Sequence, residues 1–213
     1  VGGGTGTSLG QIVAEELSIP IGTVRVIIAD TELTPFDHGT YSSRVTPYVG
    51  AAVKLAAADA RRQIMESAAR LWNLPVEAIR FVTGKVSAKG RRTLSLAEVL
   101  EQSRAEEIVG VGASQSKRLW AEDAPQQVKE SSAPGWPFGA QAVEVAVDRE
   151  TGVIKLIRVA SAHDVGTAIN PLGVSSQIEG GIMMGLGYAL SERLLFDEGK
   201  IAKILVPEGT DGV

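Results

Sequence analysis

The 213-residue chain contains no cysteine. Disulfides, zinc–thiolate sites, iron–sulfur ligation and cysteine nucleophiles are therefore excluded from it. Histidine is nearly absent. His38 and His163 lie far apart, and beyond the adjacent Asp37 and Asp164 neither has a second ligand type at the spacing a metal needs. There is no excess of positive charge: 21 basic against 25 acidic residues give a net charge of -4. Neither a nucleic acid nor an anionic membrane is expected as a partner. No apolar run reaches the roughly 20 residues of a membrane helix, and no signal peptide is evident, so the expected setting is cytoplasmic. No Gly-Lys-Ser/Thr follows the first glycines, no G-x-S-x-G elbow occurs, and no repeat of 20–50 residues is found.

What is present is a globular composition, 44% hydrophobic and 22% charged. The chain opens without methionine in "VGGGTGT" and closes on the polar "LVPEGTDGV". A natural chain rarely opens inside a working loop, so a piece of something larger is expected. Leu9, Ile12, Val13 and Leu17 have helical spacing, predicting a helix over residues 7–17. "TVRVIIAD", residues 23–30, alternates like a strand. A long polar stretch follows, then a helix opened by Pro47 and running to about Trp72. "AIRFVTGKVSA" and "RRTL" suggest strands, and "SLAEVLEQS" a short helix capped by Ser95 with Glu98 three residues on. "EEIVGVGAS" is a candidate strand, and residues 116–137 form an expected surface loop. Valines 143, 145 and 147 alternate into a hairpin turning at Glu150-Thr151-Gly152. A helix and a last hairpin around Asp197-Glu198-Gly199 complete the order. Helices and strands mix without βαβ alternation, predicting an α+β fold in two lobes. The expected division is residues 1–84, a connecting part 85–137, and residues 138–213.

Three stretches could carry chemistry. "GGGTGT" before a helix is either an anion cradle, with Gly4 and Gly6 admitting a phosphate to free N–H groups, or a flexible tail. "DHGTYSSRVT" sets the four hydroxyls of Thr40, Tyr41, Ser42 and Ser43 directly before Arg44, ahead of a helix, suiting a phosphate or a polar ring. The bland alternative is a solvated loop. "SSQIEGGIMMGLGYALSE", residues 175–192, sets Glu179 among Gly180, Gly181, Gly185 and Gly187. Each helical glycine costs about 1 kcal/mol. A capping role near a helix start accounts for the charge but not for the glycines. A carboxylate in a crowded, partly dry place, with a raised pKa and another body against the helix, accounts for both. His163 is expected to be a structural hydrogen-bonding residue.

The last stretch, with "HDVGTAINP" and "GAQAVEVAVDRETG" before it, resembles the C-terminal part of the molybdenum subunit of the xanthine oxidase/aldehyde oxidase family of molybdenum hydroxylases. The order and the Q-x-E-G-G-x-x-x-G-x-G spacing agree. "VAEELSIPIGTVRVIIADTELTPFDHGTYSSRVT" resembles an earlier cofactor-binding segment, its "GTYSSRVT" nearest the 4-hydroxybenzoyl-CoA reductase branch. The resemblance implies a molybdopterin-binding-domain-like fold and an oxidoreductase acting on an aldehyde, an aromatic heterocycle or an aromatic acyl-CoA. It implies molybdopterin with molybdenum, in its cytosine dinucleotide form. Glu179 is implied as the general base for the molybdenum-bound hydroxide, with Gln177 and Gly180 lining the metal. Gly39, Thr40, Tyr41, Ser42, Ser43 and Arg44 would wrap the pterin and its phosphates, with Gly4 and Gly6 near it. FAD and 2Fe-2S clusters are implied on partner chains or domains. The partners are the remainder of the molybdenum subunit, iron–sulfur and flavin subunits and a small-molecule substrate. One departure stands out: "GGGTGT" lacks the glutamine of the family's first "GQG" loop. The fragment is expected to be inactive alone. A non-catalytic assembly module, exposing Met183, Met184 and Leu186, and a phosphate- or nucleotide-binding module are the alternatives.

Overall fold

A computed structural model describes residues 3–34, 36–37, 39–41, 43–114 and 137–205. The expected loop at 116–137 falls almost wholly outside them. The chain divides into two compact units, Val1–Trp136 and Pro137–Val213. Helices and antiparallel strands make both, in agreement with an α+β fold.

In the first unit, α1 (Thr5–Glu16) buries Leu9, Gly10 and Ala14, the stripe its apolar spacing predicts. A single π turn, Val45–Gly50, contains Pro47 and leads into α2 (Ala51–Trp72). Asn73 ends α2 in the left-handed region (φ 52), where asparagine is tolerated, with its N–H on the Arg70 carbonyl and Leu74 N–H on that of Ala69. Strands β1 (Arg80–Val82), β2 (Lys85–Ser87) and β3 (Leu94–Ser95) pair antiparallel, so the turn at Thr83–Gly84 joins two strands of one sheet. α3 (Leu96–Ser103) starts at the expected capping box: Glu98 N–H donates to Ser95 Oγ, and Ser95 N–H donates to Glu98 Oε2. Ile64, Ala68 and Ala69 of α2, Ile79, Phe81, Val86, Leu94 and Val99 form the core, with Val86 and Val99 fully buried.

Two expected strands are not strands. Residues 24–28 start extended at Val24 but form no strand pairing among the described residues. Alternation specifies an extended shape; a strand also needs a neighbour for its N–H and C=O groups. Residues 108–114 likewise stay unpaired and lie along α2. A β-carbon on Gly110 would overlap the Ala56 carbonyl oxygen, and one on Gly112 that of Ala52. Asp59 Oδ2 accepts the Val111 N–H at 3.1 Å, and Gln63 Nε2 donates to the Val109 carbonyl at 2.8 Å. Small residues on both sides let the backbone pack on a helix instead of joining a sheet.

In the second unit, β4 (Phe138–Val147) and β5 (Ile154–Asp164) form the expected hairpin, with a register shift between Glu144 and Val145. Asp148 closes its turn by accepting from the N–H groups of Glu150 and Thr151. α4 (Pro171–Leu190) follows, then the hairpin β6 (Arg193–Asp197) and β7 (Lys200–Leu205). Among the unit's residues whose burial is described, Gly187 alone is buried. No helix among the described residues is long and apolar enough to cross a membrane.

Candidate cofactor-binding site

The predicted residues fall on both units. In the first, Arg44 organises its loop. Its Nη1 donates to the Gly39 carbonyl at 2.9 Å and lies 3.5 Å from Asp37 Oδ1. Asp37 Oδ1 also accepts the Gly39 N–H at 2.6 Å. Gly39 (φ 94) takes a conformation that a side chain would strain. The guanidinium sits over the Tyr41 ring, 5.6 Å from its centroid, and Arg44 N–H donates to the Tyr41 carbonyl. The loop is therefore tied together around an 18%-exposed arginine side chain. Asp37 offsets part of its charge, a pairing that the sequence pattern did not reveal. Nη2 and Nε retain N–H donors with no partner among the described residues. Thr40, Tyr41 and Ser43 are exposed. Ser42 and His38 lie outside the described residues.

Gly4 (φ 66) precedes the first turn of α1, which has no side-chain cap and no acidic residue. The first N–H groups of this turn lack intrahelical acceptors, as at any helix start. Gly6 faces Ile28, whose Cδ1 would lie 3.5 Å from a β-carbon there.

In the second unit, Asn170 caps α4, accepting the Gly173 N–H on Oδ1 at 3.2 Å, with Pro171 at its first position. Glu179 stands more than two turns in, so it does not cap the helix. Ser175 Oγ donates to Glu179 Oε1 at 2.8 Å, an i,i+4 pair on one helix face. The spacing was visible in the sequence, but nothing there marked that serine over Ser176. Gln177, Glu179 and Gly180 are exposed, and β-carbons on Gly180, Gly181 and Gly185 would meet nothing within 4 Å. The crowded, partly dry setting expected for Glu179 is thus not what this chain provides: its face of α4 is open. Met183 and Met184 are exposed, while Leu186 is half-buried. His163 Nε2 lies 2.8 Å from Ser161 Oγ, and its Nδ1 would lie only 2.9 Å from a β-carbon on Gly139.

Against known proteins, residues 1–204 match the molybdopterin cofactor-binding domain family. The chain is 34% identical to the gamma subunit of the 6-hydroxypseudooxynicotine dehydrogenase complex of Paenarthrobacter nicotinovorans, covering 93% of this chain and 24% of that protein. It is 30% identical to the carbon monoxide dehydrogenase large chain of Hydrogenophaga pseudoflava, covering 92% and 24%. The structure of the Cu,Mo-CO dehydrogenase in its carbon monoxide reduced state superimposes with a TM-score of 0.73 at 26% identity, over 94% of this chain and 24% of that one. Quinoline 2-oxidoreductase of Pseudomonas putida 86 gives a TM-score of 0.69 at 26% identity, over 94% and 25%. The chain spans about a quarter of the length of each of these relatives. It belongs to the molybdopterin cofactor-binding domain family, the domain carried by molybdenum oxidoreductases of the xanthine and carbon monoxide dehydrogenase type.

Proposed function

We propose that the chain is the base-bearing portion of a molybdenum hydroxylase acting on an electron-poor carbon of an aldehyde, aromatic heterocycle or aromatic acyl-CoA. Relatives named for pseudooxynicotine, nicotine and quinoline support the heterocycle class, whereas the "GTYSSRVT" wording supports the acyl-CoA branch. The observation that carries the reading is Glu179: a carboxylate on a glycine-rich, unobstructed helix face, with Oε1 held by Ser175.

The donor set fits a molybdopterin dinucleotide. Guanidinium N–H and hydroxyl donors around Arg44 suit phosphates, and the α1 start with Gly4 and Gly6 suits an anionic group. With no thiolate in the chain, the pterin is what would hold the metal. When bound, the group supplies two-electron redox chemistry. In the first unit Arg44, Gly39, Thr40, Tyr41, Ser42 and Ser43 would bind and orient such a group, and in the second Gln177 and Gly180 would line a reactive centre. Glu179 would accept a proton on Oε2, while Ser175 fixes its rotamer through Oε1. The cytosine dinucleotide form, the flavin and iron–sulfur partners, and inactivity of the isolated chain belong to the same reading. An open helix face leaves a large ligand exposed, whereas cofactor sites bury most of theirs.

The test is Glu179→Gln in the assembled enzyme. Turnover should fall by about three orders of magnitude or more with molybdenum content unchanged. A second reading, an assembly module without a catalytic role, is favoured by the exposure of Met183 and Met184. It calls for the reverse result: assembly lost in Glu179→Gln, with turnover retained in whatever assembles.

A further inference from the structure

Residues 24–28, which alternate like a strand in the sequence, have no strand beside them among the described residues. Val24 is extended (φ -95, ψ 119). A β-carbon on Gly10 of α1 would lie 3.2 Å from Val26 Cγ2 and 3.9 Å from Val24 Cγ1, and one on Gly6 would lie 3.5 Å from Ile28 Cδ1. Side chains 24, 26 and 28 therefore face α1, and strand alternation turns Arg25 and Ile27 the other way. One face of the segment touches α1 without being buried, and its edges are bare. Among the described residues, no backbone N–H of residues 25–29 has an acceptor. Val26, Ile27 and Ile28 are 37%, 47% and 53% exposed, and Arg25 has no carboxylate partner among the described residues.

A regular row of backbone donors and acceptors is matched by another extended backbone, which no small molecule or helix can imitate. We propose that residues 24–28 form a docking edge for an extended strand from the three quarters of the subunit that the relatives carry beyond this chain's span. The inference rests on the reading of the chain as part of a molybdenum subunit. The incoming strand carries an apolar side chain beside Ile27 and an acidic one beside Arg25. Its pairing completes the strand that the alternation of "TVRVIIAD" encodes.

The experiment is amide hydrogen exchange on the assembled protein from its own source, with a cross-link at Ile27→Cys, the chain's sole thiol. In a strand, successive N–H groups point to opposite edges. The expected result is slowing of at least roughly 100-fold for Arg25 and Ile27, for Val26 and Ile28, or for both pairs. The thiol cross-link should reach a different stretch of the subunit. Exchange of all four amides at free-peptide rates overturns the proposal, as does a cross-link only to a second copy of this chain. Molybdenum content, measured on the same sample, separates the two readings. Molybdenum with freely exchanging amides sinks the docking edge alone; protected amides without molybdenum sink the cofactor reading and leave the edge.

Discussion

Arg44 ties its own loop together and is the residue proposed to hold the cofactor's anionic groups. Its Nη1 holds the Gly39 carbonyl and Asp37, and its face lies against Tyr41. A lysine can keep the charge but not the fork that bonds in two directions at once. Arg44→Lys should therefore lower the pterin and molybdenum content of the assembled enzyme severalfold, read by elemental analysis. Thermal unfolding of the first unit should change little, by about 1 kcal/mol at most. The residue types at this site were legible in the sequence, since hydroxyls around a guanidinium advertise anion recognition. Their internal bonding was not, because the Asp37 contacts depend on the backbone turn at Gly39 (φ 94). For Glu179 the glycines were legible and the setting was not. Crowding comes from whatever packs on α4, and the local sequence cannot encode it.

At the scale of the element, Asp59 is the clearest case of one group fixing a whole segment. Hydrogen bonds from Arg62 first, then from the Val111 N–H and Gln63, hold its carboxyl below the usual 3.8. A carboxylate with a lowered folded pKa contributes stability above its unfolded pKa and loses it as pH falls through the folded value. The first unit's urea midpoint should thus drop as pH is lowered below about 3.8. In Asp59→Asn that acid-dependent drop should be smaller; an equal drop in both would remove Asp59 from the account. The capping box of α3 gives a second case. Ser95→Ala should destabilise the first unit by about 1 kcal/mol, measured by denaturant unfolding, through loss of the Glu98 N–H acceptor. Elements closed by local bonds were legible, this cap and the turn at Asp148 among them. Residues 24–28 and 108–114 were misread because pairing depends on a neighbour that periodicity does not report.

For the whole molecule, the two units differ in what they bury. The first has a core running from Ile64 to Val99, with Val86 and Val99 fully enclosed. In the second, Val143, Val145, Val147, Leu172, Met184 and Tyr188 are all at least 47% exposed. Two-stranded ribbons of this kind are marginal in water without a packed face. On the isolated chain, amides of β4 and β5 should exchange well before those of β1–β3, and a hydrophobic dye should bind the second unit. Slow exchange throughout would show that the second unit is stable by itself. The alternation in β4 made that hairpin legible. The burial it implied was not met, because no second layer covers it among the described residues. A last consequence follows from the contacts of Gly6 and Gly10 with residues 24, 26 and 28, and of Ala52, Ala56 and Ala60 with Gly110 and Gly112. Four residues of helix rise about 6.0 Å, and two residues of extended chain advance about 6.6 Å. Twice, then, the chain matches a step of four on a helix to a step of two on an antiparallel companion, like the teeth of two gears. Such meshing leaves no room for a β-carbon at Gly110 or Gly112, and a one-residue insertion or deletion within 24–28 or 108–114 throws every following contact out of phase. Length variation across related sequences should therefore be scarcer in these two unpaired stretches than their lack of regular structure suggests.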